Sequence, residues 1–256
     1  MSLLVDIVKK NVLSAQEFTL LTVRAIQNVF RSPHYATDII FQMDFIGFGS
    51  LPIVVMTGFF TGAVLALQTS KTMDRFGAIS LTGQVVALSL VRELGPVLTS
   101  LMVAGRNSSG IASELGSMKV SEQIDAMRAL GTDPNKKLVA PRLIATVFTL
   151  PLLTVISDFM GLFGGFLVSY YVYRINSSQY WSSAYHAIHN WDIAQGMLKP
   201  FIFAFIVSLV GCFYGLNTRG GTQGVGRSTT QAVVTASVLI LATDFIVTKL
   251  ILALGG

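Results

Sequence analysis

The sequence predicts an all-α integral membrane protein, a single domain over residues 1–256 with an N-terminal interfacial helix, five transmembrane helices and a cytoplasmic amphipathic helix. Three observations carry this. Hydrophobic residues make up 52% of the 256 and charged residues only 12%, against roughly 25% charged in an ordinary soluble domain. The mean hydropathy is +0.64. Five apolar segments each approach or exceed the roughly 20 residues that cross a bilayer. A soluble globule would lack charge for its surface, and a disordered chain would be poor in apolar residues.

Residues 1–31 read as the interfacial helix. Leu4, Val8 and Val12, then Phe18, Leu21 and Ile26, recur at helical spacing, with Lys9, Lys10, Glu17, Arg24 and Arg31 between them. That pattern suits a helix lying in the membrane interface; packing on another subunit is the alternative. Asp6, Lys9 and Lys10 interrupt any signal-peptide core, and Ser32-Pro33 ends the helix.

The spans follow at 45–67, 85–104, 143–172, 197–216 and 232–254. The first is rich in small residues. Gly58 and Gly62 have the small-xxx-small spacing that lets helix backbones approach closely. The second contains Arg92 and Glu93, with Gly95-Pro96 expected to kink it just beyond them. The third carries Pro151 and Asp158 and exceeds a simple crossing, so it should tilt, kink or project. Asp158 is expected near its outer end. The fifth carries Asp244 and Lys249.

Charge sorts by side. With the N-terminus in the cytoplasm, twelve Lys and Arg fall in cytoplasmic segments and four (Lys71, Arg75, Arg174, Lys199) outside. This bias sets N-in, C-out. It also accounts for the net +5 without nucleic acid, for which no basic run or aromatic-basic pattern exists.

Between spans two and three, 107–130 reads as a docking helix region. Ile111, Leu115 and Met118, then Val120, Ile124 and Met127, form apolar knobs rimmed by Glu114, Glu122, Asp125 and Arg128. Gly116 is expected to break it in two. Such a helix fits a groove on another protein, or else a bilayer surface. Within the spans, Arg92, Glu93 and Asp244 are costly at bilayer depth and should face a bundle interior or a wet cavity. Adjacent helical residues diverge by about 100°, so at least one needs a partner on another helix, and Asp244 is the natural candidate for Arg92. A substrate-lining polar centre and a structural ion pair are both open readings.

Other motifs carry less. Gly221–Ser228 resembles a phosphate loop, but Arg227 stands where a lysine is needed and no α/β unit surrounds it; it should be a flexible connection. His186, His189 and Asp192 have spacing that could hold a metal, but they sit in an aromatic-rich loop better read as an interfacial helix. Cys212 is a small core residue. No nucleophile-base or metal constellation marks an enzyme.

The stretch Leu90–Ala145 contains a REL-GP element, an AGR turn, an E-LG-MKV-EQIDAM segment and a DP…L…PR element. Leu65-Ala66-Leu67-Gln68, Leu150-Pro151-Leu152-Leu153 and Asp244-Phe245 add to these. Together, over roughly 45–250, they closely resemble the MlaE (YrbE) family, permeases of ABC transporters that work with MCE proteins on lipids. The resemblance implies a non-catalytic homodimer in the bacterial inner membrane. It implies a cytoplasmic ABC ATPase dimer that holds ATP and Mg, so that this chain needs no cofactor. A periplasmic MCE hexamer would exchange phospholipid with a cavity at the dimer interface and so serve outer-membrane lipid asymmetry. A small cytoplasmic STAS-domain protein is an optional further partner. The implied cavity residues are Leu65, Leu67, Gln68, Thr69, Arg92, Glu93 and Asp244. The implied coupling residues, touching the ATPase, are Glu114, Leu115, Met118, Val120, Glu122, Gln123 and Met127. One departure is Thr69-Ser70 after the Leu-Gln pair, where family members can carry an aromatic residue. An ion-coupled carrier using Arg92, Glu93 and Asp244 as a proton relay is the competing reading.

Overall fold

The computed structural model describes the backbone of residues 2–29 and 35–255 and the side chains of Lys9, 12–29 and 35–253. The expected helix end at Ser32-Pro33, with Arg31, and the side chains of Leu4, Val8 and Lys10 lie outside these. Among the described residues the fold is helical without strands, and five helices are long and apolar enough to cross a membrane.

The elements are α1 (Ser2–Val29), α2 (Ala36–Arg75), α3 (Thr82–Ser89), α4 (Gly95–Val103), α5 (Ser109–Val120), α6 (Gln123–Ala129), α7 (Ala140–Tyr171), α8 (Ser177–Ala187), α9 (Asn190–Leu216) and α10 (Gly221–Gly255). A short 3-10 turn, Ile79–Leu81, leads into α3. Helices α3, α4 and α5 form one continuous rod of 42 residues, Ile79–Val120. At 1.5 Å per residue it is about 63 Å long, twice the hydrocarbon thickness. The second apolar segment and the start of the docking region are therefore one helix.

Two π turns interrupt the rod, at Leu90–Leu94 and Ala104–Ser108. The first falls where the kink is expected. Pro96 falls in the first turn of α4, where its missing N–H is cheap. The backbone N–H of Gly95 reaches Leu90 O, five residues back, so the widened turn absorbs the disruption. Similarly, α7 runs unbroken through Pro151.

The tightest packing joins α2 and α7. Gly58 lies against Ser157, Gly62 against Gly161, and Gly164 against Phe59, each so close that a Cβ would strike a backbone carbonyl. With little hydrophobic drive between helices in lipid, such backbone approach supplies the association. Asp158 is midway along α7, not near an end, and is half-buried with its Oδ1 enclosed against Gly95.

One end of the bundle is closed by an apolar cluster of Ala25 (α1), Ile111 and Leu115 (α5), Ile124 (α6), Leu138, Leu143 (α7), Leu209 and Cys212 (α9). Phe18 of α1 stacks edge-on against Phe213 at 5.5 Å. Thus one side of α1 packs on the bundle, while Val12, Leu13, Leu20 and Val23 remain exposed. Gly221–Ser228 is not a flexible connection. It forms the first turns of α10, and the link is reduced to 217–220. Gly220 and Gly221 make that reversal at φ of +90° and +66°, which glycine adopts without penalty.

Candidate functional site

Helix α9 gathers the intramembrane charges. Arg92 Nε donates to Asp192 Oδ1 at 2.6 Å, and Lys199 Nζ donates to Glu93 Oε2 at 2.5 Å. Asp244 Oδ1 of α10 lies 3.0 Å from the same ammonium, off hydrogen-bond geometry. Thr248 Oγ1 donates to the other oxygen of Glu93 at 3.3 Å. The expected Arg92–Asp244 pairing is therefore wrong. The π turn lets both Arg92 and Glu93 reach α9, at positions two turns apart, and Lys199 takes Asp244.

Lys199 is likewise not an external charge. It is 1% exposed, which leaves three basic residues in the stretches expected outside. Burial of an ammonium is tolerable only beside compensating charge, and two carboxylates supply it. Asp192 is fixed as the third residue of α9. It accepts from the backbone N–H of His189 at 2.9 Å in a reciprocal cap, which satisfies helix-end donors. Among the described residues no group of His, Cys, Asp and Glu is placed to hold a metal ion.

Two grooves flank this turn. One, of about 490 Å³, is lined by Leu88, Ser89, Arg92, Glu93, Trp191, Gln195, Thr248, Ile251 and Leu252. The other, of about 400 Å³, is lined by Phe60, Thr61, Val64, Leu65, Gln68 and Leu94. Of the expected cavity residues, the structure places Leu65 and Gln68 in the apolar groove and Arg92 and Glu93 in the charged one. Leu67 is exposed, and its carbonyl accepts from Tyr173 Oη at 3.0 Å. Thr69 is buried, and Asp244 sits behind Lys199.

The docking region also divides. The break falls at Ser121-Glu122, where Glu122 takes φ +61°, a left-handed conformation uncommon outside glycine. Gly116 lies within α5, pressed on Thr218 and Val225. Lys119 pairs with Asp125 at 2.8 Å, which staples α5 to α6, and Arg128 pairs with the same carboxylate at 3.2 Å within α6. The Lys119 hydrogen bond holds the Asp125 carboxyl below its ordinary value. Leu115 is fully buried, and Met118 and Met127 pack inward on the same cluster. Glu122, Gln123, Ala126 and Leu130 face outward, with Val120 beside them. Glu114 pairs with Arg142 at 2.7 Å.

A search for relatives identifies this architecture. The family model described as Permease MlaE matches residues 39–250. The chain belongs to the MlaE permease family. It is 47% identical over 237 residues to a probable ABC transporter permease protein of Rickettsia felis, covering 93% of this chain and 92% of that one. It is 37% identical over 215 residues to the intermembrane phospholipid transport system permease protein MlaE of Haemophilus influenzae, covering 84% and 82%. It is 41% identical over 208 residues to the chloroplast protein TRIGALACTOSYLDIACYLGLYCEROL 1 of Arabidopsis thaliana, covering 81% of this chain and 59% of that one. The chain is thus a multi-pass membrane permease of an ABC transporter, a class that works with a separate ATPase and a substrate-binding partner.

Sequence reasoning missed three residues of this MlaE-family permease. Lys199 precedes Pro200 inside an apolar run, and a lysine at that depth is itself a signal. Asp192 is legible as the third residue of a capping box. Leu130 is 83% exposed beside a glycine turn and had no signal beyond its helical register with Gln123 and Ala126.

Proposed function

We propose that this chain is the membrane subunit of an ATP-driven phospholipid transporter of the bacterial inner membrane. The observation that carries the reading is the adjacency, within residues 92–94, of a charged groove holding Arg92 and Glu93 and an apolar groove walled by Leu94, Phe60 and Val64. A phospholipid carries a charged head and two apolar tails, and a site that extracts one needs both surfaces side by side. The phospholipid named in the Haemophilus relative supports the same cargo.

In this reading two copies form the transporting unit. A cytoplasmic ATPase dimer holding ATP and Mg docks on the outward face of α6, with room for a STAS-domain protein beside it. An MCE hexamer receives or delivers lipid on the periplasmic side, and exchange between the membranes sustains outer-membrane lipid asymmetry. The N-terminus is cytoplasmic and the C-terminus periplasmic, in keeping with the basic residues gathered at the α1–α6 end. Closure of the ATPase dimer moves α6 and α5, and the continuous α3–α5 rod carries that motion to the turn between the grooves. ATP supplies the energy, and this chain supplies the surfaces.

The test is reconstitution with the ATPase and the MCE protein in liposomes, following labelled phospholipid. Transfer should require ATP and survive an uncoupler. Transfer that persists without the ATPase and collapses with the proton gradient would replace this reading by the ion-coupled carrier.

A further inference from the structure

Glu114 stands on the charged rim of the docking region and pairs with Arg142, and this contact has properties that simple packing does not require.

Arg142 stands in the first turn of α7 with its side chain 5% exposed, while that of Glu114 is 52% exposed. Its Nη1 donates to Leu138 O at 2.7 Å, and its Nη2 lies 2.7 Å from Glu114 Oε1. Its Nε is buried without a partner. A guanidinium cannot shed its proton, so this buried cation depends on a half-wet carboxylate from a different helix. Ile111 and Leu115 share an apolar cluster with Leu143 through Leu209 and Cys212 of α9, so α9 already joins α5 to α7 by packing. A buried ion pair adds little net stability over apolar groups of the same shape, but breaking it strands a charge at high cost. Its effect is to fix the relative position of the two helices.

We infer that Glu114 is a positioning residue that acts through Arg142, forming a strut by which movement of the docking segment is passed to α7. Displacing α5 must either strip Arg142 of its counter-charge or carry α7 along, and the second is cheaper. Helix α7 in turn is locked to α2 by the glycine seam, and α2 supplies Phe60, Thr61, Val64, Leu65 and Gln68 to the apolar groove. The strut thus offers a second route to the groove, beside the α3–α5 rod. It rests on the reading of α6 as the ATPase-docking element.

The test uses the full complex in liposomes and measures three quantities: co-purification of the ATPase, ATP hydrolysis, and lipid transferred per ATP. Glu114 covers Arg142 from the solvent side, so Glu114→Ala lets water reach the guanidinium and should lower thermal stability without preventing folding, while Glu114→Gln should fold as the wild type does. Glu114→Ala should leave co-purification and hydrolysis at wild-type levels and lower lipid per ATP about tenfold, the worth of one hydrogen bond to a charged group. Glu114→Gln, whose amide oxygen still accepts from the guanidinium, should recover most of the loss. An unchanged ratio in Glu114→Ala overturns the strut. Loss of co-purification also overturns it and returns Glu114 to the docking face. Leu130→Glu serves as the control. If that variant still binds the ATPase, the docking reading itself falls, and the strut with it.

Discussion

Lys199 Nζ lies 2.5 Å from Glu93 Oε2, joining α9 to the π turn of the second span. The ammonium is shared with Asp244, so each acid insures the other.

Single neutralisations, Glu93→Gln or Asp244→Asn, should therefore cost little, whereas the double variant should cost about 3–5 kcal/mol, the penalty of a stranded buried charge. Lys199→Met should be strongly destabilising alone and largely restored when combined with both neutralisations. Thermal unfolding in detergent reads all five variants. Additive losses would show that the three groups do not act as one unit.

The glycine seam makes a positional prediction. Gly62→Ala should destabilise by about 1–3 kcal/mol, because its Cβ meets the backbone of Gly161, which cannot yield as a side chain would. Gly226→Ala, with open space around it, should be neutral or stabilising through helix propensity. Melting temperatures of the two variants should move apart.

On the docking segment, Leu130→Glu and Gln123→Arg should abolish ATPase co-purification from a folded, membrane-inserted chain. Leu115→Glu should fail earlier, at folding, because it places a carboxylate in the closed apolar cluster. Met127→Glu should resemble Leu115→Glu more than Leu130→Glu. Detergent-stable yield and pull-down together separate the two kinds of loss.

Asp125 gives the pH dependence. Its carboxyl lies below the ordinary value of 3.8, chiefly through the Lys119 hydrogen bond. A depressed value means that the stabilisation is present above the unfolded value and is lost as pH falls through the folded one. Amide exchange across 119–128 should therefore stay slow down to about pH 4 and quicken below it. In Asp125→Asn the exchange should be faster at neutral pH and should lack that step.

Much of this was legible in one chain. The fold class followed from charge and apolar run length, because a bilayer admits only helices or closed barrels and apolar runs of about 20 residues fit the helix. Gly58 and Gly62 announced a close helix contact by spacing alone. Arg92, Glu93 and Asp244 stood out because charge at depth is costly. Their partners did not, since pairing depends on which helices become neighbours and on a widened turn that helical-wheel geometry does not foresee. The docking region shows its apolar period, but a period does not say which side the bundle covers. Leu115, a knob by its spacing, is buried against Gly215 of α9, and Met127 packs half-buried on the same cluster.

What the sequence determined by itself is what local physics decides: how many helices, how long, where small residues permit contact, and which residues are expensive in lipid. What only the tertiary structure decided is who meets whom. Lys199 rather than Arg92 holds Asp244, Arg142 holds Glu114, and Leu130 rather than Leu115 faces outward. The reason is physical: the cost of burying a charge belongs to the residue, but relief of that cost belongs to whichever neighbour the packing of distant helices brings within reach.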